Sequence, residues 1–397
     1  MAICVPKGFR VAGVHCKIKG DPAKEDLTLV VSDGPAVAAG VYTQNLVHAA
    51  PVALDRQRTP SDRIRVVVAN SGNANACTGE RGMRDAEQMG RLAAATCGAR
   101  PDQALVLSTG IIGAFLPMQK IAQGIQSAAG KLGCDEPSLV SAARGILTTD
   151  TVHKLSGRTV SVAGGEIQIT GMAKGAGMIG PNMATMLAVV LTDAALGRDT
   201  AQKLLAEAAD ESFNCISVDG HMSTNDTVLL VANGAAVGRP LEGEDLGALR
   251  RALGEVCGEL ARAIPADGEG ASHLITIRVG GCASRRDARR IAKTVAESPL
   301  VKTAIAGADP NWGRIVSATG YAGVPFDPGK VNLRLNGFPL YQDGAPVSFD
   351  GQAVSDSIRS RRETLIELEF GEGDAEARFW TTDLTAEYVR INADYHT

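Results

Sequence analysis

Aromatic residues are scarce, at 4% of the 397 positions. No block of lysine and arginine stands out: 40 basic residues face 44 acidic ones, for a net charge of −4. Gripping a nucleic-acid backbone takes a clustered basic surface, so nucleic acid is not an expected partner. Small, weakly basic substrates stay open. No CxxC pair occurs, and the eight cysteines are scattered singly. That pattern suits reduced thiols and a cytoplasmic location rather than a disulfide framework. Long apolar runs are missing too. The longest aliphatic stretch, Met186 to Leu191, is far too short to span a bilayer. The opening "MAICVPKGFRVAGVHCKIKG" has no unbroken apolar core and no small-residue cleavage site, so no signal peptide is expected. The histidines at 15, 48, 153, 221, 273 and 396 have no metal-ligand spacing, and no G-x-S-x-G occurs. No metal site is expected.

What is there is an ordinary globular composition, 45% hydrophobic and 21% charged, long enough for two or three domains. Short β-branched runs read as strands at Leu27–Ser32, Ile64–Ala69, Ala104–Ser108, Thr159–Val162, Glu166–Thr170, Met186–Leu191, Thr227–Ala232 and Leu274–Val279. Alternating runs at Val331–Leu335, Leu365–Phe370 and Ala375–Trp380 read as half-exposed strands. Helical spacing fits 82–97, 117–132, 136–146, 199–212, 244–263 and 285–297, the second opening on Pro117 as a first-turn residue. Strand pairs joined by turns, as in "SVAGGEIQIT", sit beside strand–helix alternation. The fold class is therefore α+β layers rather than a purely parallel sheet. No repeat or Pro/Ser-rich linker marks a domain boundary.

"GMAKGAGMIGP" (171–181) contains a formal G-x-G-x-x-G after a strand. A dinucleotide site needs a helix next, and here Pro181-Asn182 and a β-rich run follow instead. Lys174 precedes the glycines, which also rules out a P-loop. A mobile surface loop is the plain alternative. Thr185 stands where this loop meets the aliphatic run. A hydroxyl at such a junction can attack the preceding carbonyl and split Ala184–Thr185. The freed α-amine, with an ordinary pKa of about 7.7–8.0, can then serve as base for its own hydroxyl. Most threonines before strands do neither. "LSTGIIG" (107–113) ends a strand in a Thr-Gly turn that suits an oxyanion hole or is an ordinary turn. "ILTTDT" (146–151), "ADGEGAS" (266–272), "ADPNWGRI" (308–315) and the tail "YVRINADYHT" (388–397) are polar clusters at the ends of apolar segments. Glu269, between two glycines, binds an ammonium or is simply solvated. The tail, rich in aliphatics and tyrosine, is docked or frayed.

Together "KGAGMIGPNMATML", "STGIIG", "TTDT", "FNCISVDGHMSTNDT", "DGEGA", "SPLVKTAIAGADPNWGRI" and "YVRINADYHT" resemble the ornithine acetyltransferase family, also called glutamate N-acetyltransferase or the ArgJ family. The likeness runs from "PKGFRVAGVHCKIKG" to the last residue. It implies self-cleavage between Ala184 and Thr185, giving an α chain of 1–184 and a β chain of 185–397 with Thr185 as N-terminal nucleophile. It implies Thr109 and Gly110 as the oxyanion pair. Thr148 (or its neighbour Thr149), Lys174, Thr185, Glu269, Asn392 and Thr397 fall on its substrate-binding positions. The implied fold is an α-β-β-α sandwich similar to the DmpA-type self-processing aminopeptidases, with a smaller C-terminal part, assembled as an α2β2 heterotetramer.

The implied reaction moves acetyl from N2-acetyl-L-ornithine to L-glutamate through acetyl-Thr185, in the cyclic route of arginine biosynthesis. It takes no metal or cofactor, and acetyl-CoA is a candidate further co-substrate. A self-cleaving amidohydrolase on a similar fold and a non-catalytic binding protein are the alternatives. Where the family usually has an Asp-Thr pair, this chain carries His221-Met222.

Overall fold

In the computed structural model, which describes residues 3–180 and 186–394, the apolar runs form two sheets. The first has eight strands: β1 (Phe9–Val14), β2 (Leu27–Tyr42), β3 (Ser61–Asn73), β4 (Ala104–Ile111), β5 (Lys154–Val162), β6 (Gly165–Lys174), β7 (Leu187–Thr192) and β8 (Thr227–Ala232). Their order is β4-β3-β2-β8-β7-β6-β5, with β1 paired to β2 off that path. β3 and β4 are parallel, as are β7 and β8; the β5–β6 hairpin expected from "SVAGGEIQIT" is present.

Helices α1 (Ala50–Arg58), α2 (Gly79–Thr96), α3 (Met118–Ala129), α4 (Glu136–Gly145), α5 (Arg198–Glu211) and α6 (Gly243–Ala266) complete this part. Successive strand residues point to opposite faces, and here both faces are covered. Val66 and Val68 of β3 pack with Met89 and Ala93 of α2 and Ile121 of α3. Val67 and Ala69 turn the other way, into a core shared with Leu187, Val189 and Leu191 of β7 and Leu229 and Val231 of β8. Ala188 and Val190 face Leu204 and Leu205 of α5 and Val256 and Leu260 of α6. The sheet thus folds over on itself between helices, an α-β-β-α sandwich. All six residues of β7 are buried, which accounts for its unbroken apolar run.

The second sheet is smaller: β9 (Leu274–Cys282), β10 (Asn332–Leu335), β11 (Phe338–Gln342), β12 (Ala345–Pro346), β13 (Glu363–Glu369) and β14 (Ala375–Thr382), ordered β12-β11-β10-β13-β9-β14. It shares a core with α7 (Arg285–Glu297), α8 (Pro299–Ala306), α9 (Trp312–Gly320) and α10 (Gly351–Arg359). The tail forms α11 (Ala386–Asp394).

Three sequence expectations are corrected. β2 runs past Ser32 to Tyr42, because "SDGP" is absorbed as a register shift against β3 between Val31 and Ala36 rather than as a turn. Pro117 caps α3 from outside, with ψ at 74°, instead of opening its first turn. The helical stretches α1 and α8 to α11 were not foreseen: each has only eight or nine residues, too few for a clear period.

Candidate active site

The site is built where β4, β6, β7 and β8 meet. Lys174, Leu187 and Thr227 are neighbours across β6, β7 and β8. Just before β7, the Met186 N–H donates to Asp226 Oδ1 at 3.1 Å, and the Met186 carbonyl accepts from Thr227 N–H at 3.1 Å. One residue upstream of Asp226, Asn225 donates its side-chain amide to the carbonyls of Ala74 at 2.7 Å and Ser108 at 2.8 Å. The start of β7 and the end of β4 are therefore tied to adjacent residues of one loop.

That end of β4 carries Thr109 and Gly110. Thr109 is buried, and Gly110 has φ +131°, a conformation that only glycine adopts easily. A Cβ there would lie 2.3 Å from the Gly72 carbonyl carbon. Beneath them the Ser108 hydroxyl donates to Asn70 Oδ1 at 2.6 Å, and the Asn70 amide to the Asn73 carbonyl at 2.8 Å.

Lys174 is buried at the end of β6, and burial lowers its ammonium from the ordinary value. Asp150, Glu269 and Asp226 are the carboxyl groups whose charge favours its ammonium. Asp150 accepts from Gly175 N–H at 2.6 Å and from Thr148 N–H at 3.1 Å. Burial would raise its carboxyl, but the charges of Lys174 and Lys154 hold it down at about 2. Lys154 Nζ in turn bridges Asp150 Oδ1 and Asp267 Oδ2, at 2.7 Å each. Asp267 also takes hydrogen bonds from Thr151. Thr148 thus reaches the Lys174 region through Asp150, while no side-chain contact sets Thr149 there among the described residues.

Glu269 faces the glycine loop. Its N–H donates to the Ala176 carbonyl at 2.9 Å, and a Cβ on Gly177 would sit 2.4 Å from its carboxyl carbon. Asn392 of α11 donates to Glu269 Oε2 at 2.9 Å. The same helix is held by Thr385, whose hydroxyl donates to the Gly270 carbonyl, and by Tyr388, whose hydroxyl donates to Asp219 at 3.2 Å. Asp219 accepts the Met178 and Ile179 N–H groups at 2.7 and 2.9 Å, fixing the far end of the glycine loop. The tail is docked through Asn392.

The structure thus gathers Thr109, Gly110, Thr148, Lys174, Glu269 and Asn392 around the start of β7. Ala184, Thr185 and Thr397 lie outside the described residues. His221 borders the glycine loop: the Gly220 carbonyl carbon would lie 2.4 Å from a Cβ on Gly180, and His221 N 2.8 Å, while the Met222 carbonyl accepts from the Asn45 side-chain amide at 3.2 Å. Sequence reasoning passed over Asp150, Lys154, Asp226 and Asp267, although "TTDT", "STNDT" and "ADGEGAS" contain three of them. A lone acidic letter beside a strand carries no sign of the cation it will meet. Ser272, His273 and Asp383 also cluster, but His273 Nε2 lies 3.2 Å from the Ile358 carbonyl and Nδ1 faces Asp383 at 2.9 Å, so no nitrogen is left to act as base. The cleft of about 1020 Å³ on the second sheet, lined by Arg278, Arg334, Arg378 and Glu367, shares no residue with the site.

A family model described as the ArgJ family matches residues 10–397. A relative from Rhodopirellula baltica, named arginine biosynthesis bifunctional protein ArgJ, is 49% identical over 396 residues, covering 99% of this chain and 96% of its own. The protein of the same name from Geobacter sulfurreducens is 47% identical, covering 98% of this chain and 99% of its own. A crystal structure of arginine biosynthesis bifunctional protein argJ from Bacillus halodurans, at 36% identity, superposes with a TM-score of 0.50 over 51% of this chain and 96% of that chain.

Proposed function

The chain belongs to the ArgJ family, and from that premise we propose that Thr185 is the self-generated N-terminal nucleophile of its acetyl transfer. The protein is an acetyltransferase of arginine biosynthesis that moves acetyl from N2-acetyl-L-ornithine to L-glutamate. The observation that carries the assignment of Thr185 is the Asn225–Asp226 clamp, which ties the oxyanion candidates of β4 to the residue that follows Thr185. The half-length Bacillus halodurans chain is the size that a cut near the middle would leave.

In the precursor, Thr185 Oγ attacks the Ala184 carbonyl; as the Ala184–Thr185 C–N bond breaks, the α-amine is freed with the Oγ proton, and water then splits the resulting ester, returning the Thr185 hydroxyl and leaving a carboxyl group on Ala184. In the transfer, acetylornithine lies with its acetyl carbonyl over Thr185. The amine takes the hydroxyl proton as Oγ attacks, and Thr109 with the Gly110 N–H holds the oxyanion. One donor of that kind is worth about 2.7–4 kcal/mol. The protonated amine then gives its proton to the departing ornithine nitrogen. An acetyl ester remains, and the glutamate amine attacks it to give N-acetylglutamate. Lys174 pairs with the α-carboxylate common to both substrates. Glu269, steadied by Asn392, or the Thr397 carboxylate takes the ornithine ammonium, with Thr148 nearby. Transfer of an acyl group between amines needs no metal or cofactor. The relatives are named bifunctional, which supports acetyl-CoA as a second donor. We place the enzyme in the cytoplasm as an α2β2 heterotetramer; no helix among the described residues is long and apolar enough to cross a membrane.

Thr185→Ala is expected to stay one chain and to transfer no acetyl. A cut and active Ala variant overturns the assignment. Acetate released from acetylornithine as fast without glutamate as with it would instead mark a hydrolase.

A further inference from the structure

Basic and acidic residues nearly balance over the chain, but the exposed face of α7 is one-sided. Ala288, Ile291, Ala292 and Val295 of that helix turn into the core of the second sheet. Its other side lines a groove of about 740 Å³, where five cations meet two carboxyl groups, Asp210 and Glu297. Arg285 is paired with Glu211 and Arg289 with Asp210, each at 2.7 Å. Arg286, Arg290 and Lys293 follow one another at spacings of four and three, so they share one line along the helix. Their side chains make no hydrogen bond or ion pair among the described residues. Tyr321, 61% exposed, stands on the groove wall. A Cβ on Gly323 would lie 2.8 Å from an Arg290 guanidinium nitrogen, so that guanidinium rests against the stretch after Tyr321.

The groove has a direction. Its end at Glu297 meets the site: a Cβ on Gly220 would lie 3.7 Å from Glu297 Oε1, and Gly220 itself packs against Gly180 of the glycine loop. That end offers a carboxyl group rather than a free cation. The unpaired cations begin with Arg286, eleven residues earlier and about 16 Å back along the helix axis. Guanidinium groups left unpaired match phosphate oxygens, which they engage two at a time. An exposed aromatic ring offers a stacking surface to a nucleotide base. The layout therefore fits a ligand with phosphates at one end, a reactive group at the other and a neutral arm between. We propose that the α7 groove docks the phosphate-bearing nucleotide end of an acyl-thioester donor of the acetyl-CoA class. Arg286, Arg290 and Lys293 take the phosphates, Tyr321 lies beside the base, and the acyl arm runs toward Gly220. This rests on the reading of acetyl-CoA as a second donor. In that net reaction the thioester C–S bond breaks, a C–N bond forms on glutamate, and a proton of the attacking amine ends on the released thiol. Acetylornithine carries no phosphate and has no use for the groove.

The test compares two donors on one enzyme, with glutamate as acceptor. Combining Arg286→Ala with Arg290→Ala is expected to raise KM for acetyl-CoA at least about tenfold. Its kcat and KM with acetylornithine should stay at the wild-type values, which also shows that the variant is folded. Acetyl-dephospho-CoA, one phosphate short, should be a poorer donor than acetyl-CoA for the wild type, and the gap should narrow in the double variant. Inorganic pyrophosphate should compete with acetyl-CoA and leave acetylornithine turnover alone. Acetyl-CoA kinetics unchanged in the double variant overturn the proposal. So does an equal rise in KM for both donors, which would mark a structural role for α7, and so does pyrophosphate inhibition that is the same with either donor, which would mark an effector site. Wild-type enzyme that makes N-acetylglutamate from acetylornithine but none from acetyl-CoA would refute the second donor itself, a separate outcome.

Discussion

Gly177 has no side chain where the Glu269 carboxyl lies, and its φ is not in the left-handed region, so space rather than backbone freedom is what glycine supplies there. An alanine would push against the far end of a flexible side chain. Gly177→Ala should therefore fold and mature, while Glu269 swings away and loses Asn392. A hydrogen bond to a charged group is worth about 1.5–3 kcal/mol, so KM for acetylornithine should rise roughly tenfold to a hundredfold. Steady-state kinetics with glutamate saturating checks this. An unchanged KM would remove Glu269 from donor binding. Gly110 is a different case, since its positive φ and the Gly72 backbone both forbid a Cβ. At this scale the sequence was informative about what stands next to what along the chain, as in Thr109-Gly110. It was silent about Asp226, whose meaning comes from Met186, 40 positions away.

Among the elements, the loop entering β8 ties the end of β4 to the start of β7, and the residue after β14 ties that strand to the segment entering β9. The Asp383 carboxylate, just after β14, accepts from the Ser272 N–H at 2.9 Å and faces the His273 ring. Its hydrogen bond to Asp383 raises the His273 imidazole against the pull of burial. Burial would raise Asp383, but His273 and Ser272 keep it below the ordinary carboxylate range. The sign follows. The His273 contribution to stability is complete below the ordinary imidazole pKa of about 6.5 and is lost as pH rises through the higher folded value. The Asp383 contribution is present above about 3.9 and is lost as pH falls through its lower folded value. Asp383→Ala leaves the imidazolium unpaired and should cost about 3–5 kcal/mol between those limits, and less at alkaline pH. Denaturant melts across pH check it, and a penalty independent of pH would contradict the pairing. Strands β3, β4, β7, β8 and β9 were legible because their apolar runs are buried on one or both faces. Helices α8 to α11 were not, because each is held by capping and tertiary contact more than by its own period; Ser298, for instance, caps α8 through the Val301 N–H.

At the scale of the whole molecule, the strands on either side of the proposed cut interleave in one sheet. β7 and β8 belong to residues 185–397, yet they lie between β2 and β6 of residues 1–184. Six Cα pairs join β6 to β7, and six more join β2 to β8. Lys154 and Asp267 add a buried ion pair across the same divide. The two chains should elute together on native size exclusion and separate only in denaturant; halves that part under native conditions would contradict the interlocked sheet. The sandwich itself was legible only through family resemblance, because strand order is a matter of long-range pairing that local pattern does not encode. The central claim, that Thr185 is a self-generated nucleophile that carries the acetyl group, has one direct test. Purified protein is mixed with N-acetylornithine, without glutamate, and its mass is taken under denaturing conditions. The expected spectrum shows chains of residues 1–184 and 185–397, the second heavier by one acetyl group that disappears when glutamate is added. A single chain of 397 residues, or an acetyl group that stays when glutamate is supplied, would contradict the account.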